Sequence, residues 1–224
     1  FGVMHLSARL WLIVLIFGAP FEAAALDPAR VAHQHIYDRW LMDDGLPQSG
    51  VAALCQTDDG YLWLATQEGL ARYDGREFIV FDKYNTPAFK ASQINALEVG
   101  ANGDLWIGSN DGLIRYRTGV FTRFDEASGL PHRVVTALAV DGGGGTWVGT
   151  KAGLVRLHGG EVERLWGTVE GLFDGEVRAV VASSRGAVWV ASGLNTAKRG
   201  VQQIVDDELV TIAYGDDVGR GVSA

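Results

Sequence analysis

The 224-residue chain has 27 Asp and Glu residues against 19 Lys and Arg residues, which gives a formal net charge of −8 at pH 7. Its 47% hydrophobic and 10% aromatic residues are sufficient for a sizeable core. The acidic balance and the lack of a basic cluster argue against nucleic acid as a partner, because phosphate binding needs Lys and Arg gathered on one face.

The N-terminus is typical of an export signal. Arg9 precedes an apolar run from Leu10 to Phe21, and Ala23-Ala24-Ala25 supplies small residues for signal peptidase. We therefore expect a signal peptide over residues 1–25, followed by a polar lead-in over 26–35. A retained membrane anchor is the less favoured alternative, because the apolar run is short for a bilayer.

A repeat of about 42 residues organises the rest of the chain. Each copy has a tryptophan with a glycine three residues before it; the tryptophans are Trp63, Trp106, Trp147 and Trp189. An aromatic column recurs in the same register at Trp40, Phe81, Phe124, Trp166 and Tyr214. One small antiparallel sheet per repeat predicts an all-β fold, a β-propeller. We expect the tryptophans to pack blade against blade rather than to stack on a sugar.

The register predicts four four-stranded blades over residues 50–82, 93–125, 133–166 and 176–214, with the start of a fifth repeat over 215–224. Because Trp40 shares the register of an outermost strand, residues 36–41 are predicted to form a clasp strand that pairs with the last blade. In the fourth blade the glycine after the tryptophan comes 11 residues later, at Gly200, rather than 6. Residues 193–199 therefore hold an insertion.

These motifs resemble the two-component regulator propeller repeat. The resemblance rests on Asp44-Gly45-Leu46-Pro47, on the segment from Asp59 to Thr66, and on Gly69-Leu70. It implies a ring of about seven blades in the periplasmic sensor domain of a bacterial histidine kinase, hybrid two-component system or diguanylate cyclase. It also implies anchorage of the full-length protein in the inner membrane, and a homodimer.

The sequence shows no recognisable catalytic or metal-binding set. Gly142–Gly145 is interpreted as a hairpin, because no helix pattern or Lys-Ser/Thr pair follows it as in a phosphate-binding loop. His33 and His35 have no further ligand nearby, and Thr57–Gly60 lacks the spaced acidic ligands of a calcium loop. Cys55 lies in an apolar strand, as a small buried residue would. We expect no cofactor and no metal ion.

A binding surface formed by loops remains. In a propeller, the loops that lead into the inner strands share a face with the loops that join strands two and three. Loops that depart from the repeat consensus are favoured for recognition, and the candidate ligand-binding residues are Gln48, Gln93, His132, Arg133, Asn195, Lys198 and Arg199. The alternative is that these are ordinary polar loop residues.

Two functions follow from different classes. The resemblance favours a periplasmic sensor region that binds an extracellular small molecule or oligosaccharide, or a neighbouring protomer, and regulates an output domain. The alternative is a secreted propeller enzyme such as a lyase or glycosidase. That alternative needs clustered acids, bases or metal ligands, which the sequence does not show.

Overall fold

The structure is a computed structural model that describes residues 39–183, 186–193 and 199–214. Among these residues, helix is limited to the 3-10 turns Met42–Asp44 and Glu126–Ser128. The described part contains no helix that is long and apolar enough to cross a membrane. The predicted signal peptide, lead-in and fifth repeat lie outside the described residues.

Within the described ranges, 16 strands form four separate four-stranded antiparallel sheets, each built from strands consecutive in the chain. The first sheet contains β1 (Val51–Gln56), β2 (Leu62–Thr66), β3 (Leu70–Tyr73) and β4 (Phe78–Phe81). The second contains β5 (Ile94–Val99), β6 (Leu105–Ser109), β7 (Gly112–Arg117) and β8 (Val120–Phe124). The third contains β9 (Val135–Val140), β10 (Thr146–Thr150), β11 (Gly153–His158) and β12 (Glu161–Trp166). The fourth contains β13 (Val177–Ala182), β14 (Val188–Ser192), β15 (Gly200–Val205) and β16 (Glu208–Tyr214).

The first strands of consecutive sheets, β1, β5, β9 and β13, lie against one another in that order. These are therefore the inner strands, and each sheet runs outward from them as a propeller blade. The predicted fold class, an all-β propeller with four-stranded blades, is confirmed.

The tryptophans form the core between blades. Trp63 packs against the second blade, Trp106 against the third and Trp147 against the fourth, and each is at most 5% exposed. Because a buried indole removes a large apolar area from water, these contacts dominate the blade interfaces. The predicted packing role is confirmed for these three residues.

The aromatic column fills the outer part of the same interfaces. The Phe81 ring lies 5.0 Å from that of Phe121 in the second blade. Trp40 lies 4.8 Å from Tyr73 and 5.9 Å from Phe78 of the first blade. Trp40 thus sits against the first blade as Phe81 sits against the second, in agreement with the predicted register.

The clasp strand predicted over residues 36–41 is not seen at Arg39–Leu41, which lie outside any strand; residues 36–38 are not among those described. The backbone of Leu41 is used by the following turn. Its N–H donates to Asp44 Oδ2 at 2.7 Å, and its carbonyl accepts from Asp44 N at 3.1 Å. These bonds hold Leu41 in a local turn rather than in a strand.

Glycines are required at two kinds of position. The hairpin glycine three residues before each tryptophan has the positive φ that was predicted: Gly60 (89°), Gly103 (75°), Gly144 (80°) and Gly186 (89°). Gly149 instead permits a close approach between blades, because a Cβ there would lie 2.6 Å from Val177 Cγ1.

Candidate ligand-binding face

The loops that lead into the inner strands are hydrogen-bonded to the loops that join the second and third strands. The bonds are Gln67 N to Gln48 Oε1 (3.1 Å), Asn110 N to Gln93 O (3.1 Å), Lys151 N to Val134 O (3.2 Å) and Gly193 N to Glu176 O (3.1 Å). We call the surface formed by these loops the loop face. The two loop sets therefore share one face, as predicted.

Three side-chain amides form a closed cluster on the loop face of the second blade. Asn110 Nδ2 donates to Gln93 Oε1 at 2.7 Å, Asn95 Nδ2 donates to Asn110 Oδ1 at 2.9 Å, and Gln93 Nε2 donates to Asn95 Oδ1 at 3.3 Å. Gln93 is exposed. Because an amide has two donor hydrogens and two acceptor lone pairs, the cluster retains hydrogen-bonding capacity toward solvent.

Asn95 is placed by a β-bulge. Every inner strand begins with one, and the extra residue is Ala52, Asn95, Thr136 or Arg178. Asn95 Nδ2 also donates to Val135 O at 2.8 Å, and Thr136 Oγ1 donates to Val177 O at 2.6 Å, so both link their blade to the next. Arg178 pairs instead with Glu176 at 3.1 Å and is 39% exposed.

The loop into the third blade carries two predicted residues. His132 Nδ1 accepts from Val134 N at 2.9 Å, so the imidazole closes its own turn. The side chain of Arg133 is 63% exposed, and its Nη1 lies 3.9 Å from Asp111 Oδ1, whereas Asp111 pairs more closely, at 3.0 Å, with Arg123. Arg133 therefore presents its positive charge to solvent.

A side-chain hydroxyl caps the turn between the second and third strands of three blades, and the sequence analysis did not predict it. The bonds are Thr66 Oγ1 to Gly69 O (2.8 Å), Ser109 Oγ to Gly112 O (2.8 Å) and Thr150 Oγ1 to Gly153 O (2.9 Å). Ser192 occupies this position in the fourth blade, is 2% exposed, and has no hydrogen-bond partner among the described residues. Gly200 lies opposite Ser192 in the ladder, as Gly112 lies opposite Ser109, yet the Ser192 hydroxyl does not make the capping bond.

The structure brings some of the predicted site residues close to one another. Gln93 and Arg133 flank the same turn, Asn110-Asp111, from two sides. Gln48 lies at the first blade, where it bonds Gln67. Arg199 precedes β15 and is partly exposed, while Asn195 and Lys198 are not among the described residues. In the described part, no three His, Cys, Asp or Glu side chains are grouped as metal ligands.

An arginine column was also missed, although its fixed spacing of nine residues after the tryptophan is visible in the sequence. Arg72, Arg115 and Arg156 each place the guanidinium carbon over the indole of their own blade, at 5.7, 5.8 and 5.5 Å from the ring. Cation–π contact of this kind favours a guanidinium at a tryptophan face.

In the third blade, the arginine of this column binds Asp141. Its carboxylate accepts from Gly143 N, Gly145 N and Trp147 Nε1, each at 2.9 Å, and from Arg156 Nε at 3.0 Å. Burial would raise the pKa of Asp141, but the hydrogen bonds from Trp147 and Gly145 and the charge of Arg156 outweigh it and hold the pKa below its ordinary value. The predicted hairpin at Gly142–Gly145 is therefore organised around one carboxylate.

The inner strands of the first two blades bring Cys55 near Glu98. Burial, and secondarily the charge of Glu98, raises the pKa of the Cys55 thiol to about 12. Burial also raises the pKa of Glu98. A thiol that stays protonated is a poor nucleophile, which agrees with the prediction that Cys55 is not a nucleophile, but Cys55 is half-buried rather than fully buried.

Comparison with known families identifies one repeat directly. The sequence model of the two component regulator propeller family matches residues 45–68, from the first Gly-Leu motif to the turn after Trp63. The resemblance drawn from the repeats is thereby confirmed. A comparison with curated protein sequences finds no match.

Solved structures similar to this chain include a signalling domain and two enzymes. The extracellular domain described as that of a hybrid two-component system from B. thetaiotaomicron matches with a TM-score of 0.59 at 18% identity, over 72% of this chain and 25% of that one. A catalytically inactive virginiamycin B lyase from Staphylococcus aureus with quinupristin matches with a TM-score of 0.61 at 14% identity, over 78% and 58%. A gluconolactonase from Xanthomonas campestris matches with a TM-score of 0.52 at 15% identity, over 75% and 64%. This chain spans about a quarter of the first of these structures. At identities this low, the likeness shows a shared fold alone.

Proposed function

We propose that this chain, which carries a two-component regulator propeller repeat, is the ligand-sensing propeller region of an exported bacterial signalling protein. The repeat match at residues 45–68 supports a signalling context. The extracellular two-component domain among the similar structures supports an exported location. We place the region in the periplasm, within a dimeric protein anchored in the inner membrane whose output domain is a histidine kinase or a diguanylate cyclase.

The observation that carries the proposal is the arrangement around the Asn110-Asp111 turn. The amide cluster of Gln93, Asn95 and Asn110 lies on one side and the exposed guanidinium of Arg133 on the other. Amides offer both donors and acceptors to hydroxyl groups, and a guanidinium favours carboxylate or hydroxyl oxygens. The ligand we propose is therefore a hydroxyl-rich small molecule or an oligosaccharide.

The test is a reporter of the output activity of the full-length protein, read across a panel of neutral and acidic oligosaccharides. We expect one ligand class to activate, and Gln93→Ala to shift its half-maximal concentration upward by about five- to tenfold, as the loss of one or two hydrogen bonds implies. The matched control is Glu161→Gln, an exposed residue at the start of β12, an outer strand. A melting curve of each variant separates lost binding from lost folding.

Identical responses from Gln93→Ala, Glu161→Gln and the unchanged protein would contradict a role for the amide cluster. The enzyme alternative makes a different prediction for the same preparation. Steady turnover of a streptogramin, an aldonolactone or an oligosaccharide by the purified chain would replace the sensor proposal with a secreted lyase, lactonase or glycosidase.

A further inference from the structure

A cleft of about 670 Å³ lies between the third and fourth blades, on the face opposite the loop face. One wall is the β9–β10 hairpin at Asp141–Gly143, and the other is the β15–β16 turn at Asp206 and Asp207. The floor contains Trp147, Val188 and Ile204. This volume is in the range of sites that hold small organic molecules.

The corresponding space between the second and third blades is nearly filled, with a volume of about 30 Å³. There, Arg115 extends toward the third blade, where its Nη1 lies 3.5 Å from Gly159 O. In the third blade, Arg156 is instead held within its own blade by Asp141 at 2.9 Å and Glu163 at 3.2 Å. The second blade has Gly100 at the position of Asp141. Arg156 lines the cleft but is held within its own blade by the carboxylates of Asp141 and Glu163, and the cleft remains open.

The hairpin wall is fixed in place before any ligand arrives. Asp141 binds the backbone of Gly143 and Gly145 and the side chains of Trp147 and Arg156. A Cβ at Gly145 would lie 2.6 Å from both Arg156 Nε and Asp141 Oδ2, so glycine is needed for this arrangement. A wall that does not reorganise lowers the entropic cost of binding.

Among the residues that the structure describes, the charges of the lining are unbalanced. Arg156 offsets Asp141, and Asp207 pairs with Arg164 at 2.9 Å, but exposed Asp206 has no ion-pair partner among the described residues. Carboxylate at the rim and apolar side chains at the floor call for a ligand with a positive head and an apolar body. We propose that this cleft binds a small organic cation, with its ammonium group at Asp206 and its body over Trp147, Val188 and Ile204. The proposal is independent of the function assigned to the loop face.

The test uses isothermal titration calorimetry of the chain with two probes that share one body. Phenethylamine is protonated at pH 7, whereas 2-phenylethanol has a neutral hydroxyl in place of the ammonium. We expect phenethylamine to bind at least about fivefold more tightly than 2-phenylethanol, and its affinity to fall with added salt. We expect Asp206→Asn to weaken phenethylamine by about threefold and to leave 2-phenylethanol unchanged.

Asp206 has a φ of 49°, which asparagine tolerates well, so Asp206→Asn is expected to fold normally. Glu208→Gln, which removes an exposed charge two residues away on β16, is the matched control and should bind both probes as the unchanged chain does. Filling the cleft with Gly142→Trp should abolish binding of both probes. No binding of phenethylamine, equal affinity for the two probes, or an unchanged affinity in Asp206→Asn would overturn the proposal.

Discussion

Replacement of Asp141 by asparagine should destabilise the third blade by a predictable amount. The carboxylate accepts hydrogen bonds from two backbone N–H groups, from Trp147 Nε1 and from Arg156. Asparagine keeps one acceptor oxygen but turns an NH₂ group toward these donors and leaves Arg156 without its main partner. Removing one member of a buried ion pair costs about 3–5 kcal/mol. Because the Arg156 side chain is 30% exposed and Glu163 remains beside it, we expect about 2–4 kcal/mol.

The pH dependence provides a sharper measurement. Since the pKa of Asp141 is lowered in the folded protein, its contribution to the free energy of unfolding is fully present above its ordinary pKa of about 4 and is lost as the pH falls through the lowered value. Asparagine does not titrate. The difference between the two proteins, measured by urea unfolding, should therefore be largest at pH 7 and should shrink in acid.

Loss of about 2–4 kcal/mol corresponds to a fall in Tm of roughly 4–16 °C for a domain of this size. Asp58→Asn is a suitable control, because Asp58 is an exposed hairpin residue of the first blade. A difference between Asp141→Asn and the unchanged protein that stays constant from pH 7 to pH 3 would refute the electrostatic reasoning. A shift no larger than that of Asp58→Asn would show that the carboxylate does not organise the hairpin.

Two further predictions concern the blade interfaces. Gly149→Ala places a Cβ 2.6 Å from Val177 Cγ1 and should lower the free energy of unfolding by about 1–3 kcal/mol through overpacking. Adding Val177→Ala to this variant should recover part of the loss in a melting curve. The control Gly50→Ala, whose nearest contact would be 3.9 Å away, should cost little. Glu98→Gln should raise Tm at pH 7. Burial raises the pKa of Glu98, so its carboxyl group favours folding at low pH and loses that contribution as the pH rises through the raised value. Glutamine has no charge to bury at pH 7. An advantage of Glu98→Gln that is equally large at pH 4 would contradict that account.

The repeat could be predicted from sequence because blade packing restricts a few positions in the same way each time. Trp63, Trp106 and Trp147 fill equivalent interfaces, and the hairpin glycines have the positive φ that their spacing indicated. The loop face followed from the register as well. The position of Trp40 was also correct, but the described part of the predicted clasp strand, Arg39–Leu41, is not a strand. The bonds that hold Leu41 in a turn involve a local carboxylate that the repeat does not specify.

The candidate site was predicted less completely, because it depends on departures from the repeat. The role of Asn95 follows from a β-bulge, and the amino-acid sequence gives no indication of where that extra residue lies. In the third blade Asp141 stands where the second blade has Gly100, and it pairs with Arg156, an arginine that lines the cleft. A contact between two particular side chains, such as this one, depends on their distance in the fold and cannot be predicted from the position of one residue in the repeat.

Because each tryptophan packs against the blade that follows it in the sequence, the order in which the blades are synthesised affects when each core is completed. Each indole is buried by the repeat that follows it, never by the one before, in the three interfaces described. As the polypeptide emerges from a ribosome or an export channel N-terminus first, every new repeat therefore exposes an unsheltered indole until its successor has been delivered. A pause after any one blade would leave one large aromatic surface open at the growing end, where a chaperone could recognise it.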